Sequence, residues 1–203
     1  MNFYIADTHF GHKNALNFDY RPFSDLCQME EVMTMLWNAA VRKDDTVYIL
    51  GDFCWGKADE WLRIVRQLNG RKVLIQGNHD LSSYPAALRN QFADIKDYLE
   101  IADYAKDGSA RRVILSHYPQ MFFKHDCSDK YYMLCGHVHA GAENDLLEKW
   151  TQELRLAYRN RSGFDAANCG QIYNVGCMMP WMEYTPRTLD EIIKRWNTHH
   201  QED

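Results

Sequence analysis

Short apolar runs in this chain repeatedly end in polar clusters of one chemical kind, and that recurrence constrains the fold more than any other feature. Residues 3–6 run into Asp7-Thr8-His9, residues 46–50 into Gly51-Asp52, and residues 72–76 into Gly77-Asn78-His79-Asp80. Residues 111–115 lead to His117, and residues 131–135 run into Gly136-His137-Val138-His139. Runs of four to seven apolar residues closed by Gly, Asp or Asn read as buried strands. The segments between the first three runs have helical periodicity. Residues 30–42 place Val32, Met35, Leu36 and Ala39 on one expected face, and residues 57–68 carry a stripe of Trp61, Ile64, Val65 and Leu68. This β-α-β-α-β order predicts an α/β protein whose first three strands are parallel. Parallel strands end on one edge of a sheet, where ligands usually bind, so the polar clusters are expected to converge.

The second half reads as strands over 95–101 and 111–115 joined by a turn at Asp107-Gly108, then a strand over 131–135. A charged, exposed helix is expected over 142–158, a strand over 171–175 and a closing helix over 188–196. Thr188 is placed as the cap of that last helix, ahead of Asp190 and Glu191. With 203 residues and neither repeat nor linker, one domain spanning residues 1–203 is expected.

Composition narrows the function classes. Hydrophobic residues make up 46% of the chain and charged residues 25%, which suits a water-soluble globular protein. A net charge of −5 argues against a protein living on bulk nucleic acid through a basic surface, although metals would supply local positive charge for nucleotides. The first seven residues hold no basic segment and no long apolar stretch, so no signal peptide is read there, and no run is long enough to cross a bilayer. The six cysteines form no CxxC pair. Reduced thiols and a cytoplasmic location are the expectation.

Singly, an Asp or Asn after a strand is a turn former and a lone His a surface residue. Together the side chains are less easily dismissed. Five of the nine histidines, His9, His79, His117, His137 and His139, lie at or just beyond strand ends. Asp7 and His9 are two apart, so in extended backbone they point the same way. Gly51, Gly77 and Gly136 let backbone approach the site closely.

The ordered set D-x-H, G-D, G-N-H-D, H and G-H-x-H resembles the calcineurin-like metallophosphoesterase superfamily, with every motif intact between residues 7 and 139. The resemblance implies a four-layer α/β/β/α sandwich with two mixed β-sheets and a site at their strand ends. It also implies one metal held by Asp7, His9, Asp52 and His139. A second would be held by Asp52, Asn78, His117 and His137, with Asp52 bridging. His79 would be the catalytic histidine, and Asp80 would hydrogen-bond and orient its imidazole.

The chemistry of such a site is coherent. Two divalent ions, less the charges of Asp7, Asp52 and one bridging hydroxide, leave a net positive centre for an anionic ester. Paired ions lower the pKa of bound water and align it for in-line attack on phosphorus. A protonated His79 would steady the transition state or protonate the leaving alkoxide. Imidazole, carboxylate and amide ligands favour manganese, then iron or zinc, with nickel or cobalt also suitable, over Ca or Mg.

The expected function is hydrolysis of a phosphomonoester or phosphodiester, with a small phosphate ester or nucleotide as partner and no membrane. Its alternatives are a noncatalytic scaffold of the same fold and a nuclease acting on short nucleic acids. Beyond the metals, His12 is placed as a pocket residue and Arg21 as a clamp on a phosphate oxygen, against the competing readings of a loop histidine and a surface ion pair. Arg155, Arg159 and Arg161 read as a solvated helix end, and residues 140–173 as a possible cap over the site. Met178-Met179-Pro180-Trp181 reads as core packing, and Cys54 and Cys135 as buried structural thiols.

Overall fold

Strands buried on both faces turn the apolar runs into two sheets that share one core. A computed structural model describes residues 1–159, 161–163 and 165–201. The first half contains β1 (Asn2–Ile5), α1 (Ala15–Phe18), α2 (Leu26–Ala40), β2 (Thr46–Leu50), α3 (Ala58–Val65), β3 (Arg71–Ile75), α4 (Ala86–Arg89) and β4 (Phe92–Lys96). The second contains β5 (Tyr98–Tyr104), β6 (Ala110–Ser116), β7 (Tyr131–Cys135), α5 (Ala142–Tyr158), β8 (Ile172–Asn174) and α6 (Leu189–His199), with a 3-10 turn at Ala166–Asn168 before β8.

The first sheet has the order β1-β2-β3-β4, all parallel, and an antiparallel bridge between Tyr4 and Arg187 makes it mixed at its β1 edge. The second has the order β5-β6-β7-β8, with β5 antiparallel and the rest parallel. Alternation sets the layers. Val113 and Leu115 of β6 and Leu134 of β7 join the core shared with β1, β2 and β3, whereas Ile114, Met133 and Cys135 face outward onto Leu147 and Trp150 of α5. Helices α2 and α3 cover the other side of the first sheet through Met29, Met33, Trp37, Trp61, Ile64 and Val65. The result is the expected α/β/β/α sandwich. Among the described residues no helix is long and apolar enough to cross a membrane.

Several local expectations change. The single strand read over 95–101 breaks at Asp97: β4 pairs with β3 in one sheet, and β5 pairs with β6 in the other. The chain crosses between sheets there, and the polar pair Lys96-Asp97 reads equally well as a solvent-facing stretch of one alternating strand. Helix α2 starts earlier than residue 30, capped by Asp25, whose side chain accepts from the Gln28 N–H. Its buried stripe is Met29, Met33 and Trp37, one residue round from the expected face, and Met35 is exposed. The indole of Trp37 decides this, since its Nε1–H donates to the Asn69 carbonyl at 3.0 Å. Cys127 and Cys169 are paired in a disulfide, against the expectation of reduced thiols throughout; the Gly170 N–H donates to the Asp126 carbonyl and holds the two loops together. Cys54 and Cys135 are free and buried. Thr188 caps α6 in a reciprocal capping box with Glu191, and Met179 and Trp181 are buried in the main core.

Candidate metal centre

Every motif leaves its strand at the same edge and bends at once. Among residues other than glycine, Asp7, His9, Asp52, His137 and His139 all have left-handed backbone, with φ of 52°, 48°, 49°, 71° and 48°. This conformation is costly for residues with a Cβ and persists where surrounding structure enforces it, most often at functional sites. The enforcement is visible. Ala6 bridges Gly176, so the end of β1 is stitched to the segment after β8, and the Gly136 N–H donates to the His117 carbonyl at 2.9 Å. Glycine is required by contact: a Cβ on Gly136 would lie 2.6 Å from both the Ala6 Cβ and Asp7 Oδ2.

Asp7, His9, Asp52 and His139 each offer one donor atom, and these atoms all lie within 4.8 Å of one another. His9 Nε2 is buried and has no hydrogen-bond partner among the described residues. A buried, unpaired imidazole nitrogen facing two carboxylates is expensive unless a cation takes its lone pair.

A second group adjoins the first. His117 Nδ1 donates to the Leu50 carbonyl at 2.8 Å, which leaves Nε2 as a lone pair. That Nε2 lies 3.0 Å from Asn78 Oδ1, so two acceptors face each other. Facing acceptors of this kind make the pair a candidate site for a second cation. The His137 ring stands 5.1 Å from that of His117, and its backbone N–H donates to the Asp7 carboxylate at 3.1 Å. Asp52 Oδ2 joins the two groups, lying 3.7 Å from His9 Nε2 and 3.7 Å from His117 Nε2.

The surrounding residues have roles that single positions in the sequence did not reveal. Asp19 Oδ1 accepts from His139 Nδ1 at 2.7 Å, which turns Nε2 of that ring toward the cluster. Asn174 donates to the His139 carbonyl at 2.8 Å. Neither residue is marked in sequence by a motif.

Arg21 is not a phosphate clamp. It is buried and donates to the carbonyls of Thr8 and Asp7 at 2.7 and 2.8 Å and to Asp19 Oδ2 at 2.7 Å, so it fastens the first metal loop. Asp80 also departs from expectation. Both its oxygens accept backbone N–H groups, from Phe53 on one and from Gly77 and Asp52 on the other, and so it pins two loops together instead of orienting the His79 imidazole. His79 is exposed at the rim, its ring 6.0 Å from that of His9 and its N–H donating to Asp52 Oδ1 at 2.9 Å. His12 lies beside His9, centroids 5.3 Å apart, and stacks on Trp55.

Electrostatics express the same need for cations. Burial pushes Asp7 up to about 7, against the nearby charge of His139, which lowers it by more than repulsion from Asp52 raises it. Burial, then Arg21, drives His9 down to about 2, so its imidazole is neutral and free to ligate. Burial lowers His117 too. Burial alone would lower His139, but its bond to Asp19 and the nearby charge of Asp7 outweigh this and raise it.

Comparison with known proteins agrees with the geometry. The sequence model of the calcineurin-like phosphoesterases matches residues 3–165. An uncharacterized protein of Methanocaldococcus jannaschii is 42% identical over 78 residues, covering 37% of this chain and 44% of its own length. The Gene 66 protein of Mycobacterium phage L5 is 28% identical over 57% of this chain and 62% of its own. Its counterpart in Mycobacterium phage D29 is 31% identical over 68% and 77%. The chain thus spans less than two thirds of the first two relatives. A solved structure of a protein of unknown function from Aquifex aeolicus superposes with a TM-score of 0.57 at 28% identity, covering 96% of this chain and 98% of that one.

Proposed function

Because the chain belongs to the calcineurin-like phosphoesterase family, we propose that it hydrolyses phosphate esters at a centre of two divalent ions, manganese first among the candidates. The observation that carries this reading is the position of Asp52 Oδ2, equidistant at 3.7 Å from two imidazole nitrogens that belong to separate donor groups. Asp7, His9, Asp52 and His139 would hold one ion; Asp52, Asn78, His117 and His137 would hold the other. When bound, the ions supply Lewis acidity and activated water for attack on phosphorus.

The chain supplies the rest. Asp19 and Asn174 fix His139 by its ring and its carbonyl, and Arg21 fixes the Asp7 loop. Asp80 holds the Asp52 loop against the Gly77 loop, which keeps Asn78 and His79 in register with Asp52. His79, at the exposed rim beside His9, would give a proton to the leaving oxygen or to a phosphate oxygen. The test is chelation followed by addition of Mn²⁺, with p-nitrophenyl phosphate and bis(p-nitrophenyl) phosphate as substrates. Hydrolysis of at least one, lost on chelation and restored by the ion, supports the reading. Failure on both with any of Mn, Fe, Zn, Ni or Co opposes it.

A further inference from the structure

Three aromatic side chains stand exposed around the site histidines, each against a different pair. Phe18, 49% exposed, lies edge-on to His9 and His139 with ring centroids 5.7 and 5.4 Å away. Tyr118, also 49% exposed, meets His117 and His137 edge-on at 5.0 and 4.6 Å. Trp55, 43% exposed, is stacked on His12 at 4.1 Å and 8° and lies 5.7 Å from His79. Large apolar side chains gathered around one polar site, and not scattered singly over the surface, mark a place where a ligand completes the burial.

Trp55 is built as a platform. Its backbone N–H donates to the Phe10 carbonyl at 2.7 Å, and the neighbouring Cys54 bridges Phe10, so the ring starts from a fixed backbone. Gly11 passes so close beneath that an added Cβ would meet the Trp55 carbonyl oxygen at 3.0 Å. His12 backs one side of the indole with a parallel ring, while much of the side chain stays open to solvent beside His79. Arg21, the residue expected to grip substrate, is spent on backbone carbonyls and Asp19. Recognition of the organic part of the ester therefore rests on ring faces.

We infer that the ester carries a nucleoside, whose base stacks on Trp55 within a rim completed by Phe18 and Tyr118 while its phosphate sits at the metal centre. Stacking is sequence-tolerant, because every base has a π-face. The inference rests on the phosphoesterase reading and names the substrate class for that site.

Matched substrates that differ only in the base provide the test: AMP against ribose 5-phosphate for monoesters, and ApA against its abasic counterpart for diesters, with Mn-loaded protein. The base-bearing member of the hydrolysed pair is expected to have a KM about tenfold lower. Trp55→Leu should collapse that ratio toward one and Trp55→Phe should largely keep it, with metal content checked to confirm that each variant is folded. Equal KM values within the hydrolysed pair, or a ratio that survives Trp55→Leu, would overturn the inference and leave the phosphoesterase reading standing. Should no ester of any kind be hydrolysed, that reading fails instead, and calorimetric binding decides the subsite: AMP bound more tightly than ribose 5-phosphate supports it, and equal binding refutes it.

Discussion

His139 donates its Nδ1 proton to Asp19 Oδ1 across 2.7 Å, joining residues 120 positions apart in the chain. Asp19 in turn is paired with the buried guanidinium of Arg21, which holds the carbonyls of Asp7 and Thr8. One buried ion pair thus aims a candidate ligand from the second sheet and fastens the loop that carries candidate ligands from the first. Asp19→Asn should weaken binding of the ion held by His139 by roughly tenfold to a hundredfold. Calorimetric titration with Mn²⁺ should show one weakened site beside one little changed; two unchanged sites would remove Asp19 from that role.

His79 touches the cluster only through its backbone N–H to Asp52 and by ring proximity to His9 and Trp55. His79→Ala should therefore keep its metal content while kcat drops by roughly a hundredfold to ten-thousandfold, the usual worth of a positioned proton donor. Undiminished kcat in the metal-loaded variant would exclude that task.

Glycine at position 136 is dictated by crowding. Gly136→Ala would press a methyl group against Ala6 and the Asp7 carboxylate, both buried, and overpacking of this kind costs about 1–3 kcal/mol. A thermal melt should show a loss of several degrees together with reduced metal binding. Gly141→Ala is the control, because a Cβ there meets only the Val138 carbonyl oxygen at 3.9 Å.

Carboxylates and imidazoles at the centre tie the stability of the metal-stripped protein to pH in opposite senses. Asp7 is pushed from 3.8 up to about 7 and Asp80 from 3.8 up to about 6, burial being the main cause for each. His9, lowered from 6.5 to about 2, therefore adds stability as pH rises from about 2 to 6.5, whereas each carboxylate withdraws stability as pH rises from about 4 to its folded value. Metal binding must displace the Asp7 proton, so metal affinity should climb over the same range. Chemical denaturation of stripped Asp7→Asn beside the native chain isolates the carboxylate: the substitution should favour the folded state more at pH 7.5 than at pH 5, and an equal effect at both would show that Asp7 ionises freely.

How much of this was legible in sequence depends on how many residues share a signal. Asp7, His9, Asp52, Asn78, His117, His137 and His139 are legible because each follows an apolar run and parallel strands share an edge. Asp19 and Asn174 are single polar residues whose importance comes from what folds against them, and no local pattern announces it. Arg21 was legible as a donor but not as a buried one, since burial of a guanidinium depends on carbonyls brought to it by other loops. Asp80 stands beside His79 in sequence, yet its carboxylate turns to the backbone of Phe53, Gly77 and Asp52. The crossing at Asp97 was hidden because apolar and polar residues alternate on both sides of it, and the buried face of α2 because Trp37 outweighs several smaller side chains. The Cys127–Cys169 pair joins two loops 42 residues apart that no spacing rule connects.

The proposed dinuclear centre stands or falls with Asp52, whose Oδ2 faces His9 on one side and His117 on the other. Elemental analysis of the Mn-loaded protein after desalting measures this most directly. Two ions per chain are expected in the native protein and a deficit at both positions in Asp52→Asn. One ion per chain in the native protein, or two retained by the variant, would contradict the account.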